Sequence, residues 1–252
     1  MSPLHALAIF AAGLAAGTVN VIVGSGSLIT FPTLLALGYP PVLANVSNTV
    51  GLAPGNASGV VAYRRELHGQ RRRLLQLGSA SVVGALVGAA LLLALPNTVF
   101  KAAVPALIAL ASVLMAVQPR IRSGLEARGP LRTHGGAPLV FGVFLTGIYG
   151  GYFGAAQGVI LIALMAIFID DDLQRLNGTK NVLALTANGV AALFFIASTH
   201  IAWPVAGLVA AGSIIGGQVG GRYGRRIPAD VLRWVIVLGG LGVAVGLAVE
   251  WH

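Results

Sequence analysis

Long stretches without any charged side chain constrain this chain more than any other feature. No Asp, Glu, Lys or Arg occurs from Met1 to Tyr63, and five further runs are uncharged: 74–100, 102–119, 133–169, 181–221 and 234–249. Each run approaches or exceeds the roughly 20 residues that cross a bilayer as a helix. Charged residues make up only 9% of the chain, whereas soluble domains contain about a quarter. The sequence therefore predicts an all-α polytopic membrane protein, forming one integral membrane domain over residues 1–252.

The excess of basic residues also fits a membrane protein. The net charge is +9, and all 16 basic residues lie between or at the ends of the apolar runs. Because no basic face with interleaved aromatic side chains is present, we expect a lipid bilayer and no nucleic acid as partner. The absence of Cys excludes disulfide and thiolate chemistry. The N-terminal segment lacks the basic start of a secretory signal and is expected to remain in the mature protein. The composition suggests a bacterial inner membrane.

Among the ten apolar segments, two pairs of consecutive segments form stretches that are too long for a simple crossing, 4–38 and 138–169. The segments run over 4–23, 27–38, 41–63, 74–95, 99–118, 138–153, 158–169, 174–198, 203–221 and 231–249. A continuous helix over 4–38 would be about 52 Å long, against a hydrocarbon core of about 30 Å. Glycines interrupt both this stretch and 138–169. Each stretch is therefore either a broken single span or a hairpin that returns to the side it entered.

The distribution of Lys and Arg decides between these two topologies, since cytoplasmic loops are enriched in both. If each broken stretch crosses once, nine basic residues lie inside and seven outside. If each stretch is a hairpin, fifteen lie inside and only Lys101 lies outside. The second topology is favoured, and it makes the basic loops 64–73, 119–137 and 222–233 cytoplasmic.

The hairpin topology has the consequence that the two halves of the chain are oppositely oriented. We predict two inverted repeats, each a re-entrant, broken-helix hairpin followed by three transmembrane helices, with about eight transmembrane segments by hydropathy. Repeat one covers 4–118, a cytoplasmic linker covers 119–137, and repeat two covers 138–249. The order of features repeats: "GTVNVIVGSGSLI" at 17–29 parallels "GIYGGYFGAAQGVI" at 147–160. Inverted repeats with paired broken helices are a recurring plan of secondary transporters.

The two breaks predict a binding site for a small anion. A half-helix that begins inside the membrane directs free N–H groups and positive dipole charge at the gap. Polar side chains in the adjacent helices usually face the interior of the bundle. The predicted binding residues are Gly24, Ser25, Gly26, Ser27, Asn48, Gly154, Gln157, Gly158, Thr179, Lys180 and Asn181.

Other roles for these residues remain open. Lys180 is the natural counter-charge for an anion, but it could equally be an interfacial lysine that extends to the cytoplasmic surface. Individual Asn side chains could instead link helices. Four glycine pairs, Gly84/Gly88, Gly212/Gly216, Gly216/Gly220 and Gly242/Gly246, are assigned to helix packing. The acidic run 170–172 is expected to cap the N-terminus of the next helix. No His/Asp/Glu spacing predicts a metal site, a cofactor or a catalytic set, so no enzyme activity is expected.

At these residues the chain resembles the TauE/SafE sulfite exporter family, also called the toluene sulfonate uptake permease family. The resemblance covers essentially the whole chain and is carried by "GSGSLITFPTLLALGYPP", "ANVSNTVGLAPGNASGVVAYRRE", "GIYGGYFGAAQG" and "NGTKNVL". The family is often richer in glycine at both breaks, where this chain has Ser25, Ser27 and "GAAQG". The resemblance implies transport of a sulfur-containing or related organic anion, such as sulfite or a sulfonate.

The residues at the two breaks and the family resemblance together predict a secondary transporter that exports a small anion across the inner membrane. All seven acidic residues fall in loops or at segment ends, so a buried carboxylate proton relay is not expected. An anion importer or a cation-coupled symporter is an alternative, and a non-transporting membrane assembly protein is an alternative of another class. A homo-oligomer is compatible with the sequence, which leaves the substrate, the direction and the coupling ion open.

Overall fold

The fold is entirely helical over the described residues of the computed structural model, which are 1–126, 136–223 and 229–251. The first five helices are α1 (Pro3–Ile22), α2 (Ser27–Ala36), α3 (Pro41–Ala62), α4 (Arg71–Ala94) and α5 (Asn97–Glu126). The second five are α6 (Gly136–Tyr152), α7 (Gln157–Phe168), α8 (Leu173–Ser198), α9 (Trp203–Tyr223) and α10 (Ala229–Trp251). Five of them, α1, α4, α5, α8 and α9, are long and apolar enough to cross a membrane by length and composition. The predicted all-α polytopic membrane fold is confirmed.

Each short helix folds back along the helix before it. The Tyr39 hydroxyl, just after α2, donates to Met1 Sδ, just before α1, over 3.9 Å. In the second half, a Cβ atom added to Gly142 near the start of α6 would lie 3.2 Å from the methyl groups of Leu164 near the end of α7. The ends of each pair therefore lie side by side, and both pairs are hairpins.

The helix contacts of the first half repeat in the second half when α1 to α5 are matched in order with α6 to α10. α1 packs against α9 as α6 packs against α4, and α3 packs against α9 as α8 packs against α4. Single hydrogen bonds repeat as well. The Ser213 hydroxyl of α9 donates to the Gly51 carbonyl over 3.0 Å, and the Ser81 hydroxyl of α4 donates to the Leu183 carbonyl over 3.2 Å. Each half contains one hairpin and three helices of at least 21 residues, and the opposite orientation of the two halves in the membrane stays a prediction.

The predicted linker and loops are described only in part. Helix α5 continues to Glu126, so residues 119–126 are helical. Residues 127–135, 224–228 and 252 lie outside the described residues, and they include Arg128, Arg132, Arg225 and Arg226 of the charge count. The repeat boundaries and the assignment of the basic loops to the cytoplasm stay predictions.

Three of the four predicted glycine packing pairs are confirmed. Cβ atoms on Gly84 and Gly88 would overlap the backbone of α6, and Cβ atoms on Gly212, Gly216 and Gly220 would overlap that of α1. These glycines let the helix backbones approach closely. The assignment of Gly242/Gly246 was wrong, because no atom of the described residues lies within 4 Å of a Cβ atom at either position. A small-xxx-small spacing says nothing about which face of a helix meets a neighbour.

We expect Gly216→Ala to destabilise the protein and Gly242→Ala to leave its stability unchanged. At Gly216 the new methyl group would overlap the Leu14 carbonyl and push α9 away from α1, and overpacking of this kind costs about 1–3 kcal/mol. Thermal unfolding of the two purified variants in one detergent measures the difference. Equal melting temperatures would contradict the packing role of Gly216.

Candidate functional site

The first break, between α1 and α2, is held by Asn20. Gly24 has φ 87°, a left-handed conformation that favours glycine. The Asn20 side-chain oxygen accepts a hydrogen bond from the Gly26 N–H over 3.2 Å, and its amide group donates to Asn56 Oδ1 on α3. One side chain thus satisfies an amide at the start of α2 and ties the break to the following helix.

The second break, between α6 and α7, has the same plan with different residues. Gly154 has φ 76°, and Ala156 has φ 58°, which costs a residue with a Cβ atom about 1 kcal/mol or more. The Tyr149 hydroxyl donates to the Ala155 carbonyl over 2.6 Å. A Cβ atom on Gly150 would overlap the side chain of Gln157, so the glycine leaves room for that amide.

The two breaks contact each other directly. The Gly158 N–H donates to the Gly24 carbonyl over 3.1 Å. A Cβ atom on either glycine would lie 2.5 Å from the Cα atom of the other, which is closer than real Cβ contacts. The structure therefore brings two predicted residues, one from each half, into direct contact. The Gly158 amide is already bonded, however, so it does not offer the free N–H group that the sequence predicted there.

Side chains from the opposite repeat bind the carbonyl groups at the ends of α1 and α6. Lys180 Nζ on α8 donates to the Asn20 carbonyl over 3.3 Å and to the Val21 carbonyl over 3.1 Å. Asn45 Nδ2 on α3 donates to the Tyr152 carbonyl over 3.0 Å. Each side chain satisfies carbonyls at the negative end of a helix. The two ends differ in charge, since one cap is a lysine and the other is a neutral amide.

Lys180 is completely buried, with 0% of its surface exposed. The alternative in which this lysine extends to the membrane surface was therefore wrong. Within the part of the chain that the structure describes, no Asp or Glu side chain is buried and Lys180 forms no ion pair. Burying a cation without a counter-charge is expensive.

Several buried polar atoms near the breaks have no hydrogen-bond partner among the described residues. They include the Ser25 hydroxyl and both side-chain polar atoms of Gln157, residues that are 1% and 2% exposed. The unpartnered atoms on α3 and α8 are Asn45 Oδ1, Asn48 Oδ1, Asn56 Nδ2, Gln174 Oε1, Asn177 Oδ1 and Asn181 Nδ2. Buried polar atoms are normally paired, so such a group calls for a partner. Asn48 and Asn181 lie on helices that pack against each other and against the hairpins.

Thr179 takes part in a second polar network, at the end of the bundle where the α3–α4 and α7–α8 loops meet. Its hydroxyl donates to Gln70 Oε1 over 2.9 Å. Arg73 donates to the same Gln70 oxygen over 2.7 Å and to Asp171 Oδ2 over 2.6 Å, and Arg175 Nε donates to Asp171 Oδ1 over 2.8 Å. We call Gln70, Arg73, Asp171, Arg175 and Thr179 the loop network. In this network the Thr179 hydroxyl binds Gln70 and not a residue of the breaks. The predicted role of Thr179 in binding the anion stays a prediction.

The opposite end of the bundle carries the counterpart of the loop network. There the Ser47 hydroxyl of α3 accepts from the Ala202 N–H over 3.0 Å. Counted from the starts of α3 and α8, Ser47 corresponds to Thr179. Leu43, four residues before Ser47, and Val205, three residues after Ala202, are apolar. At the loop network, ion pairs reinforce the end of the bundle.

The roles of Gln70 and Asn45 were not predicted from the sequence. Gln70 immediately precedes three arginines and was hidden among the charges of its loop. Asn45 was noted as one of many polar residues of α3, and its contact with α6 has no local sequence signal. The predicted N-cap in the acidic run is confirmed, because the Asp172 side chain accepts from the Gln174 N–H over 2.8 Å. Ser27 and Gly154 are half-buried at the breaks.

The loop network predicts a loss of stability in acid. Partial burial alone would raise the pKa of the Asp171 carboxyl, but hydrogen bonds from Arg73 and the Asp172 N–H and the charges of Arg73 and Arg175 outweigh it and hold the pKa below its usual value. Because the folded pKa lies below the unfolded one, this stabilisation is complete above about pH 4 and is lost as pH falls through the folded pKa.

We therefore expect Asp171→Asn to lower the melting temperature at neutral pH and to match the wild type more closely in acid. Thermal unfolding of both proteins across the acidic range measures this. Asp170→Asn replaces an exposed neighbouring carboxylate and serves as the control. A constant difference between wild type and Asp171→Asn at every pH would contradict the stabilising ionisation of Asp171.

The known proteins that this chain resembles are named as membrane transporters or exporters. The family model described as "Sulfite exporter TauE/SafE" matches residues 9–247. The "Probable membrane transporter protein ORF9" of Sinorhizobium sp. is 27% identical, with 98% of this chain and 94% of that protein covered. A probable membrane transporter protein of Haemophilus influenzae is 25% identical, over 91% and 89% of the two chains. The probable membrane transporter protein YfcA of Escherichia coli K12 is 25% identical, over 94% and 87%. No solved structure gives a significant match.

Proposed function

The chain belongs to the TauE/SafE family of membrane transporters, and from this premise we propose that it exports a small sulfite-like or sulfonate-like anion across the bacterial inner membrane. The basic loops would face the cytoplasm, where the positive-inside rule places them. The anion would bind between the two helix breaks.

The observation that carries this proposal is the burial of Lys180. Its ammonium group lies in the interior with two carbonyl acceptors, and it has no carboxylate partner within the described residues. An ammonium group has three N–H donors, so one remains after the two carbonyls. A bound anion would accept this third donor and supply the missing negative charge, which makes an anion a better ligand here than a neutral molecule.

Neutral groups at the breaks support the same ligand. The Ser25 hydroxyl and the Gln157 amide can donate hydrogen bonds, and neither has a partner among the described residues. Helices α2 and α7 begin beside them, and their N-termini carry partial positive charge. Oxygen atoms of a sulfite or sulfonate group would accept hydrogen bonds from the Ser25 hydroxyl and the Gln157 amide.

The proposed mechanism is alternating access by movement of one repeat against the other. Ser25, Gln157 and Lys180 are all buried, as expected for an occluded state. Opening toward the basic loops would break the loop network, whereas opening at the opposite end would separate Ser47 from Ala202. An inside-negative potential favours anion export by about 2.3 kcal/mol per charge per 100 mV, so the potential alone could drive transport.

Anion flux in proteoliposomes tests this function. Purified protein is reconstituted, loaded in separate samples with sulfite, thiosulfate, a sulfonate or a carboxylate, and an ion gradient sets the membrane potential. We expect efflux of a sulfur oxyanion that grows with the inside-negative potential and stops when the potential is collapsed. Flux that follows only a proton gradient would contradict potential-driven export, and inward flux alone would favour an importer. Absence of flux for every anion would favour a non-transporting assembly protein.

A further inference from the structure

Lys180 binds the C-terminal end of a helix that ends inside the bundle. Its Nζ atom binds two successive backbone carbonyls, those of Asn20 and Val21, where α1 ends inside the bundle. The C-terminal end of a helix carries partial negative charge because its last carbonyls have no intrahelical partner. In transporters built from broken helices, such carbonyls commonly coordinate a coupling Na⁺ ion.

We propose that the Lys180 ammonium group is a tethered cation that occupies the place of a coupling ion, so that transport by this protein needs no Na⁺. This inference rests on the proposed anion transport and adds the identity of the cation that accompanies the anion. The lysine is anchored on α8 of the second repeat, whereas the carbonyls belong to the first repeat. The cation therefore also joins the two repeats.

The close fit around Lys180 supports this assignment. A Cβ atom on Gly158 would lie 3.1 Å from Lys180 Cδ, so the glycine leaves space for the lysine stem beside the contact between the breaks. The corresponding end of α6 is bound by the neutral amide of Asn45 instead. A fixed charge is thus present on one side only, and a single anion bound between the breaks would balance it.

Wild-type flux gives the first test. Anion flux is measured in proteoliposomes in which Na⁺ is replaced on both sides by N-methylglucamine, a cation much larger than Na⁺. Because Na⁺ would have no differential affinity for any state of the protein, we expect flux to change by less than about twofold. Loss of flux on removal of Na⁺ would overturn the proposal.

The second test needs no transport, so it separates this proposal from the proposed function. Lys180→Ala leaves two unpartnered carbonyls and an empty space that a small amine can enter. We expect its melting temperature to lie below that of the wild type and to recover by about 3 °C in about 100 mM methylammonium. Tetramethylammonium has the same charge but no N–H donor, and we expect no recovery with it. Lys101→Ala, which removes the exposed second lysine, should respond to neither salt.

Two results would overturn the tethered-cation proposal in this second test. One is a Lys180→Ala variant as stable as the wild type, and the other is a destabilised variant on which methylammonium has no more effect than tetramethylammonium. If Lys180→Ala cannot be purified, the wild-type flux without Na⁺ still decides. A methylammonium rescue without anion flux would retain the tethered cation and reject the transport function.

Discussion

Lys180→Met is expected to abolish anion transport while preserving most of the packing around residue 180. Methionine keeps an unbranched apolar stem and removes the charge. Removing one partner of a buried, hydrogen-bonded charge pair costs about 2–5 kcal/mol, and a loss of about 3 kcal/mol corresponds to roughly a 100-fold decrease in affinity. The variant should therefore show flux close to that of empty liposomes at substrate concentrations that saturate the wild type.

The matched control for this prediction is Lys101→Met. The chain contains only two lysines, and the side chain of Lys101 at the start of α5 is exposed. We expect its flux to equal that of the wild type. Undiminished flux in Lys180→Met would show that the buried lysine does not take part in binding the anion.

Gly158→Ala is expected to destabilise the protein and to stop transport through steric overlap alone. The added methyl group would lie 2.5 Å from Gly24 Cα and 3.0 Å from the Gly24 carbonyl oxygen. Since both are backbone atoms, relief requires the two breaks to move apart, which also breaks the Gly158–Gly24 hydrogen bond. We expect a loss of about 2–3 kcal/mol and a fall of several degrees in melting temperature.

Gly189→Ala provides the comparison for this substitution. Gly189 lies in α8, and a Cβ atom added there would have no atom of the described part of the chain within 4 Å. Its flux should match that of the wild type, and its melting temperature should equal or slightly exceed that of the wild type, because alanine is more favourable than glycine in a helix. If Gly158→Ala behaves like Gly189→Ala in both measurements, the contact between the breaks is dispensable.

The helices could be predicted closely because charged residues or turn-forming Gly and Pro residues separate most of the apolar segments. The segment predicted over 174–198 is α8 at Leu173–Ser198, and the segment over 27–38 is α2 at Ser27–Ala36. The hairpins were also predictable, although the signal was indirect. It lay in the positions of arginines outside the membrane segments and not in the glycines themselves.

The end of α5 and the glycine pair of α10 were less predictable. Arginines end an apolar run without ending a helix, so α5 continues past 118 to Glu126. Gly242 and Gly246 have the spacing of a packing motif, but the packing face of a helix is decided by tertiary structure. Hydropathy indicates neither where a helix ends beyond the membrane nor which of its faces packs against a neighbour.

The sequence predicted a set of residues for the candidate site, but it did not predict the contacts that these residues form. Lys180 lies in the third turn of α8, close enough to the helix end that a long side chain could extend outward or inward. The choice depends on the carbonyls of Asn20 and Val21, which are 160 and 159 residues away in the chain. The same holds for Thr179, whose partner Gln70 lies 109 residues away. Contacts between repeats leave no local trace in one sequence.

The affinity of purified protein for sulfite, compared between Ser25→Ala and Ser112→Ala, tests the proposed anion site most directly. Both serines are buried and have no hydrogen-bond partner for their hydroxyl groups among the described residues. Ser25 lies in the first break, whereas Ser112 lies in α5 and packs beside Gly240 of α10. Isothermal titration measures sulfite binding to the wild type and to both variants.

If the anion binds between the breaks, Ser25→Ala should weaken sulfite binding by about tenfold, the cost of one hydrogen bond to a charged ligand. Ser112→Ala should bind as the wild type does. Equal affinity of both variants and the wild type for sulfite would contradict an anion site at the helix breaks.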